Sequence, residues 1–92
     1  MTVERKVRLH WKDQDGLLKS TMAKAKDVSS RGLRVELDRA IALETLVNLE
    51  CRELKVAGVA VVRHCRRSSV NHYTVGLEFA GGLEWRGSAS PT

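Results

Sequence analysis

The residues with the clearest capacity for chemistry lie in the six-residue stretch 27–32, which reads Asp-Val-Ser-Ser-Arg-Gly. The side chains of Asp27 and Ser29 can accept hydrogen bonds from backbone N–H groups one or two residues further on, which favours a turn over a strand interior. Gly32 has no Cβ and therefore allows either a positive φ angle or the close approach of another group. Taken alone, such a stretch is typical of a structured connection between two strands.

Basic side chains predominate in the chain. Sixteen Lys and Arg residues stand against 11 Asp and Glu residues, which gives a formal net charge of +5 at pH 7. This surplus favours anionic partners such as nucleotides, nucleic acid or acidic proteins, although it is also common in proteins that bind nothing anionic. One local cluster is typical of a solvated hairpin end: Arg63, His64, Arg66 and Arg67.

Cysteine and histidine side chains are too scattered to predict a catalytic or metal centre. Cys51 and Cys65 lie in apolar surroundings, where small buried side chains are the expectation. Their spacing to His64 and His72 matches no common zinc pattern. None of these histidines, and not His10 either, has a nucleophile or a carboxylate partner at a recognisable spacing. The sequence therefore predicts a protein that is not an enzyme and that uses no cofactor or metal.

Composition also predicts the compartment. Two cysteines in 92 residues agree with a reducing environment and form no disulfide framework. Residues 1–6 are charged and lack the apolar core of a secretory signal. No apolar run approaches the roughly 20 residues of a membrane span. We expect a cytoplasmic protein without a membrane span.

Alternation of apolar and polar residues predicts several short strands. In the first, Val7, Leu9 and Trp11 alternate with charged residues, and the Asp-Gly pair that follows is typical of a tight hairpin. Gly58 suggests a bend or bulge in a later strand, and residues 66–71 read as a basic hairpin loop. The expected strands span about residues 6–12, 17–26, 33–37, 56–65 and 73–79.

The segment 38–55 fits two interpretations. Its Ala, Leu and Glu content has good helix propensity, and apolar residues recur at helical spacing, which favours a helix slightly on local evidence. Val47, Leu49 and Cys51, alternating with polar residues, support a strand equally well.

Short strands at fairly even spacing indicate a small closed or partly closed barrel, because closure removes exposed strand edges. The length suits one domain with one core. We expect that domain to span residues 1–82 and to be followed by a loose, flexible tail, residues 83–92, from which Leu83 and Trp85 could pack back onto the body.

Three pieces of the sequence, in order, resemble the PilZ domain family: an arginine before the first strand, Asp-x-Ser-x-x-Gly opening the third strand, and a closing Val-Gly-Leu-Glu-Phe. Here they are Arg5, residues 27–32 and residues 75–79, and the similarity covers about residues 4–80. Members of that family are six-stranded antiparallel β-barrels, and many bind the bacterial second messenger cyclic di-GMP. The resemblance therefore implies an all-β, six-stranded PilZ-like barrel, with a loop at 40–45 and a strand at 46–51 in place of a helix.

The resemblance also implies a signalling module with cyclic di-GMP as its ligand. Arg5, Asp27, Ser29 and Gly32 would form the binding site, and Arg8 and Arg31 are further cationic candidates. Arginine suits this ligand because guanidinium binds phosphate or the guanine O6/N7 edge through two hydrogen bonds and stacks on a base. The Asp and Ser would add polar contacts, and the Gly would shape the turn.

Two alternatives stay open. The family motif carries two arginines four positions apart, and the first would fall at Met1. A PilZ-like interaction module that has lost cyclic di-GMP binding and acts through an unidentified protein partner is therefore the second hypothesis. The third is a small basic barrel that binds nucleic acid through phosphates. Two Trp, one Tyr and one Phe offer little stacking surface, so nucleic acid is the least expected of these partners.

Overall fold

The alternation of apolar and polar residues is realised as strands in the computed structural model of the protein, which describes residues 2–52, 55–80 and 84–85. Within these residues the chain forms β1 (Thr2–Lys12), β2 (Leu18–Val28), β3 (Gly32–Leu37), β4 (Leu46–Cys51), β5 (Val56–Ser69), β6 (His72–Phe79) and the short β7 (Glu84–Trp85). The expected all-β class is confirmed.

Six of these strands close into an antiparallel barrel. Their order is β4-β1-β2-β3-β6-β5, and β4 pairs with β5 to complete the circle. Because the barrel is closed, β4 and β5 pair with each other, and their backbone groups are not left at an open edge. β7 adds to the start of β5, where Val56 pairs with Trp85 and Ala57 with Glu84. The expectation that Trp85 packs back is met at the level of the backbone, and residues 83 and 86–92 of the expected tail lie outside the described residues.

The core fills the interior of the barrel with the apolar residues of each alternating strand. Leu9, Val35, Val47 and Val75 are almost completely buried, and they come from four different strands. Trp11 is a core residue, as the alternation of β1 predicts. Both cysteines were expected to be buried. Cys51 is buried, whereas Cys65 is half-buried against the core. Both are free thiols.

The first hairpin forms at its Asp-Gly signal. Gly16 has a φ of 82° and its N–H donates to the Asp13 carbonyl at 3.0 Å. The Asp13 carboxylate accepts hydrogen bonds of 2.9 Å from the N–H groups of Asp15 and Leu17. The side chain of Asp13 thus satisfies turn donors that have no partner in the β1–β2 ladder.

The local preference for a helix in segment 38–55 is wrong. Residues 46–51 form β4 between β1 and β5, with Val47 and Leu49 facing the core. Pairing on both sides and burial of alternate residues outweigh a helix propensity worth only tenths of a kcal/mol per residue. The loop and strand that the family resemblance implies are the structure observed.

The boundaries of β5 also differ from those expected. β5 continues to Ser69, so Arg66 and Arg67 belong to the strand and only Val70 and Asn71 form the turn. Asn71 takes the positive φ of 55° that such a short turn needs. The ladder to β4 runs through Gly58 without interruption. The irregularities in β5 fall instead in its pairing with β6, between Val62 and His64 and again between Arg67 and Ser69.

The described residues include no helix that is long and apolar enough to cross a membrane.

Candidate ligand groove

The turn between β2 and β3 is held by its own polar groups. The N–H of Ser29 donates to the Gly32 carbonyl at 2.8 Å, and the Arg31 N–H donates to Ser29 Oγ at 3.2 Å. The Arg31 carbonyl accepts a 2.7 Å hydrogen bond from the N–H of Phe79 on β6. The turn therefore has a fixed shape and is tied to the neighbouring strand.

Gly32 is required by a close approach. A Cβ at this position would overlap the carbonyl oxygen of Leu77 and lie 3.0 Å from the Cα of Glu78. The φ of Gly32 is outside the left-handed region, so this glycine is not needed for a positive φ angle. The absence of a side chain lets β3 and β6 pair directly at the mouth of the turn.

The turn borders an open groove of about 640 Å³ that runs across β3, β6 and the bulged part of β5. We call this the turn groove. Seven of its twelve lining residues are polar or charged, and the other five are glycine, valine or leucine. Its lining residues are Asp27, Val28, Ser29, Arg31, Gly32, Leu33, Arg34, Arg63, His64, Gly76, Leu77 and Glu78.

One wall of the turn groove is a histidine ring over a glycine. A Cβ at Gly76 would lie 2.7 Å from Nε2 and 2.8 Å from Cε1 of His64. His64 and Gly76 are also Cα partners across β5 and β6. The imidazole of His64 therefore lies on the space that a side chain at position 76 would occupy, and it presents a flat, exposed ring to the groove.

Two arginines of the turn groove are paired with carboxylates of the protein. Arg34 on β3 forms an ion pair with Asp27 on β2. Arg63 Nε donates to Glu78 at 2.6 Å, and its Nη1 contacts both Glu44 carboxylate oxygens at 2.9 and 3.1 Å. The hydrogen bond to Glu78, followed by the one to Glu44, raises the pKa of the Arg63 guanidinium above its ordinary value.

The structure brings four of the predicted site residues together. Asp27, Ser29, Arg31 and Gly32 all border the turn groove. Arg8 does not, since it lines a separate pocket on the outside of the barrel.

Arg5 starts the regular part of the β1–β2 ladder opposite Ala25, two positions before Asp27. Arg5 therefore lies near the same end of β2 as the turn, but it is not among the residues that line the groove. Its contact with a ligand remains a prediction.

Three basic side chains of the groove, those of Arg34, Arg63 and His64, were not predicted as site residues from the sequence. Arg34 could have been found, because it follows Gly32 by two positions and the alternation of β3 turns it outward. From the sequence, Arg63 and His64 were interpreted as part of a solvated hairpin end. They reach the groove because β5 is long and its register shifts at this point, which local sequence does not reveal.

The chemistry available here is recognition of an anion or of a planar polar group. Three guanidinium groups and an imidazole face two carboxylates, those of Asp27 and Glu78, at the rim. Among the residues described, no three His, Cys, Asp or Glu side chains are grouped so that they could hold a metal ion.

Comparison of the chain with protein-family models, with curated proteins and with solved structures finds no match.

Proposed function

We propose that the chain is a PilZ-type signalling module that binds cyclic di-GMP in the turn groove. The observation that supports this most is the position of the Asp-x-Ser-x-x-Gly turn. Residues 27–32 form one wall of an open groove on a closed six-stranded antiparallel barrel, and arginine side chains lie on both sides of it.

The size and chemistry of the groove suit a nucleotide. Its volume of about 640 Å³ falls within the range of about 300–1,000 Å³ that is typical of small-molecule sites. Cyclic di-GMP presents two phosphates and two guanines. Arg31, Arg34 and Arg63 offer guanidinium donors for phosphate oxygens or for a guanine edge. The His64 ring offers a face on which a base can stack.

Asp27 and Ser29 have roles both in the free protein and in the proposed complex. Ser29 Oγ accepts from the Arg31 N–H and donates a long hydrogen bond of 3.4 Å to the Gly32 carbonyl, which a ligand oxygen could replace as the acceptor. Asp27 pairs with Arg34 and would accept from guanine N–H groups through its remaining lone pairs. Binding therefore rearranges polar groups that are already in place and needs no new fold.

Calorimetric titration with cyclic di-GMP at physiological salt tests the proposal, with GTP and an unrelated DNA as control ligands. We expect selective, saturable binding. Asp27→Ala should weaken it by at least about tenfold, because a hydrogen bond to a charged group is worth about 1.5–3 kcal/mol. Arg66→Ala, on the same barrel but outside the groove, is the matched control. Unchanged affinity in the Asp27 variant would contradict the assignment of the site.

One observation favours the second candidate, a PilZ-like module that acts only through a protein partner. Arg34 and Arg63 are engaged by Asp27, Glu78 and Glu44, so a ligand must compete with carboxylates for them. Absence of heat at high cyclic di-GMP concentration, with a sample that unfolds cooperatively, would support this candidate over the first. In either case we propose a cytoplasmic protein without catalytic activity.

A further inference from the structure

A column of basic side chains runs along the outside of β1, on residues that do not line the turn groove. Lys6, Arg8, His10 and Lys12 are all exposed, and they alternate with core residues of the same strand. Successive outward side chains on one strand are about 6.7 Å apart. The column therefore presents a row of basic side chains, three of them Lys or Arg, along most of the strand.

Apolar side chains flank this column on both neighbouring strands. Arg8 is the Cα partner of Met22 on β2 and of Glu50 on β4, and Lys12 is the partner of Leu18. Leu46, at the start of β4, lies one position beyond Val47, the partner of Trp11. Met22 is 50% exposed, Leu46 59% and Leu18 81%. Exposure of these apolar surfaces to water is unfavourable, and a partner that covers them would remove that free-energy cost.

The face is concave at one end. A pocket of about 330 Å³ is lined by Lys6, Arg8, Met22, Glu50 and Arg52. Three of these five side chains are cations and one is a thioether, which packs against irregular apolar shapes. Glu50 is the acidic exception among them.

We propose that this outer face of β4, β1 and β2 is a docking surface for an acidic protein segment that also carries apolar side chains. Carboxylates of the segment would lie along the column of Lys6, Arg8 and Lys12. Its apolar side chains would cover Leu18, Met22 and Leu46. Charge complementarity steers such an encounter and fixes its register, while burial of the apolar groups slows dissociation. This surface is independent of cyclic di-GMP binding.

The face suits a protein better than a nucleic acid. Trp11 points into the core, and no other aromatic residue occupies the described part of β1, β2 or β4, so bases would find no stacking surface here. A phosphate backbone has no apolar side chains to cover Leu18, Met22 and Leu46, whereas a protein segment can place apolar side chains there.

Fluorescence anisotropy with labelled probes tests the proposal. The main probe is a synthetic peptide of Glu and Leu residues, and poly-glutamate of equal charge isolates the electrostatic part. A single-stranded oligonucleotide and vesicles containing phosphatidylserine represent the other anionic partners. We expect the Glu–Leu peptide to bind about tenfold or more tightly than poly-glutamate at physiological salt, and more tightly than the oligonucleotide or the vesicles.

Two pairs of charge-reversal variants locate the binding surface. Lys6→Glu combined with Arg8→Glu should weaken peptide binding by at least about tenfold. Arg66→Glu combined with Arg67→Glu makes the same change in net charge on the exposed end of β5 and should leave binding unchanged. Leu18→Ser with Met22→Ser should lower the affinity for the peptide to that for poly-glutamate. Circular dichroism and thermal unfolding verify that each variant folds.

Several outcomes would overturn the proposal. Equal losses in the two charge-reversal pairs would mean that net charge alone attracts the peptide. Preferential binding of the oligonucleotide or of the vesicles would identify a different kind of partner. Absence of binding to every probe by the folded wild-type protein would show that the face is a solvated surface.

Discussion

Asp27 on β2 and Arg34 on β3 are Cα partners, and their side chains form an ion pair at the rim of the turn groove. The pairing depends on a register shift between Ala25 and Asp27, where Lys26 is the extra residue of β2. The acidic residue of the Asp-x-Ser-x-x-Gly turn is thus held by a guanidinium of the protein itself. The ligand proposed for the turn groove would meet this pair already assembled.

Replacement of Arg34 should separate binding from stability. Arg34→Ala removes one partner of an ion pair whose side chains are about half exposed, so the free energy of unfolding should change by less than about 1 kcal/mol. Affinity for cyclic di-GMP should fall by about tenfold or more, since a groove guanidinium is lost. Urea denaturation and calorimetry measure the two quantities. Arg39→Ala, which breaks the exposed pair with Asp38 away from the groove, should leave the affinity unchanged.

Replacement of Gly32 should damage the fold itself. In Gly32→Ala the new methyl group overlaps the Leu77 carbonyl oxygen, and backbone atoms can make room only if β3 and β6 separate. We expect a loss of about 1–3 kcal/mol in the free energy of unfolding, measured by urea denaturation. Gly16→Ala is the comparison, because its Cβ meets nothing within 4 Å and its cost comes from the positive φ alone. A Gly32→Ala protein as stable as the wild type would show that the backbone of β6 can move to accommodate the methyl group at little cost in free energy.

Replacement of Gly76 should displace the His64 side chain rather than the backbone. The Cβ of Gly76→Ala meets the His64 ring, which can rotate away, so we expect a smaller loss of stability than for Gly32→Ala. The displaced ring should alter cyclic di-GMP affinity. In the double variant Gly76→Ala with His64→Ala the clash disappears, and the two substitutions should be non-additive in the free energy of unfolding. Additive effects would argue against the contact.

The interior of the barrel should account for most of the stability. Leu9 is fully buried, so Leu9→Ala should cost about 2–5 kcal/mol of unfolding free energy. Leu18 has the same side chain on the outside, and Leu18→Ala should stay within about 0.5 kcal/mol of the wild type. Thermal and urea unfolding of both variants measure this contrast. Similar values for the two would be incompatible with their different burial.

Asp38 provides a prediction about pH. A hydrogen bond from Arg39, together with its charge, lowers the pKa of the Asp38 carboxyl below the ordinary value of 3.8. A carboxyl whose pKa is lower in the folded state contributes stability above its unfolded pKa and loses it as the pH falls through the folded value. We expect a small effect, confined to acid, because both side chains are exposed. NMR titration of the Asp38 carboxyl should show the lowered pKa, and Arg39→Ala should restore it.

The sequence was most informative where burial and alternation act together. Val7, Leu9 and Trp11 identify β1 because a strand with one face in the core must place apolar residues at every second position. Residues 46–51 are different, since their composition fits a helix as well. Only the pairing of β4 with β1 and β5 decides between the two, and that pairing involves residues distant in sequence.

The site was predictable to the extent that it is local. The turn 27–32 carries its own signal, because Asp, Ser and Gly are needed within six residues of one another. Arg63 and His64 join it only through the bulge in β5 and the pairing of β5 with β6. Arg8 illustrates the opposite case. It lies only 19 positions before Asp27 and was predicted beside it, yet it lines a pocket separate from the turn groove.

Closure of the barrel also affects the rate of folding. β1 pairs with β4 and β3 with β6, so two of the ladders that complete the circle join segments far apart in the chain. Loops must close before such contacts form, and small β-barrels consequently fold in milliseconds to seconds rather than in microseconds. During synthesis β1 and β2 emerge first, and the edge of β1 stays unpaired until β4 arrives. The closed native barrel protects that edge, whereas the nascent chain exposes it to association with other chains.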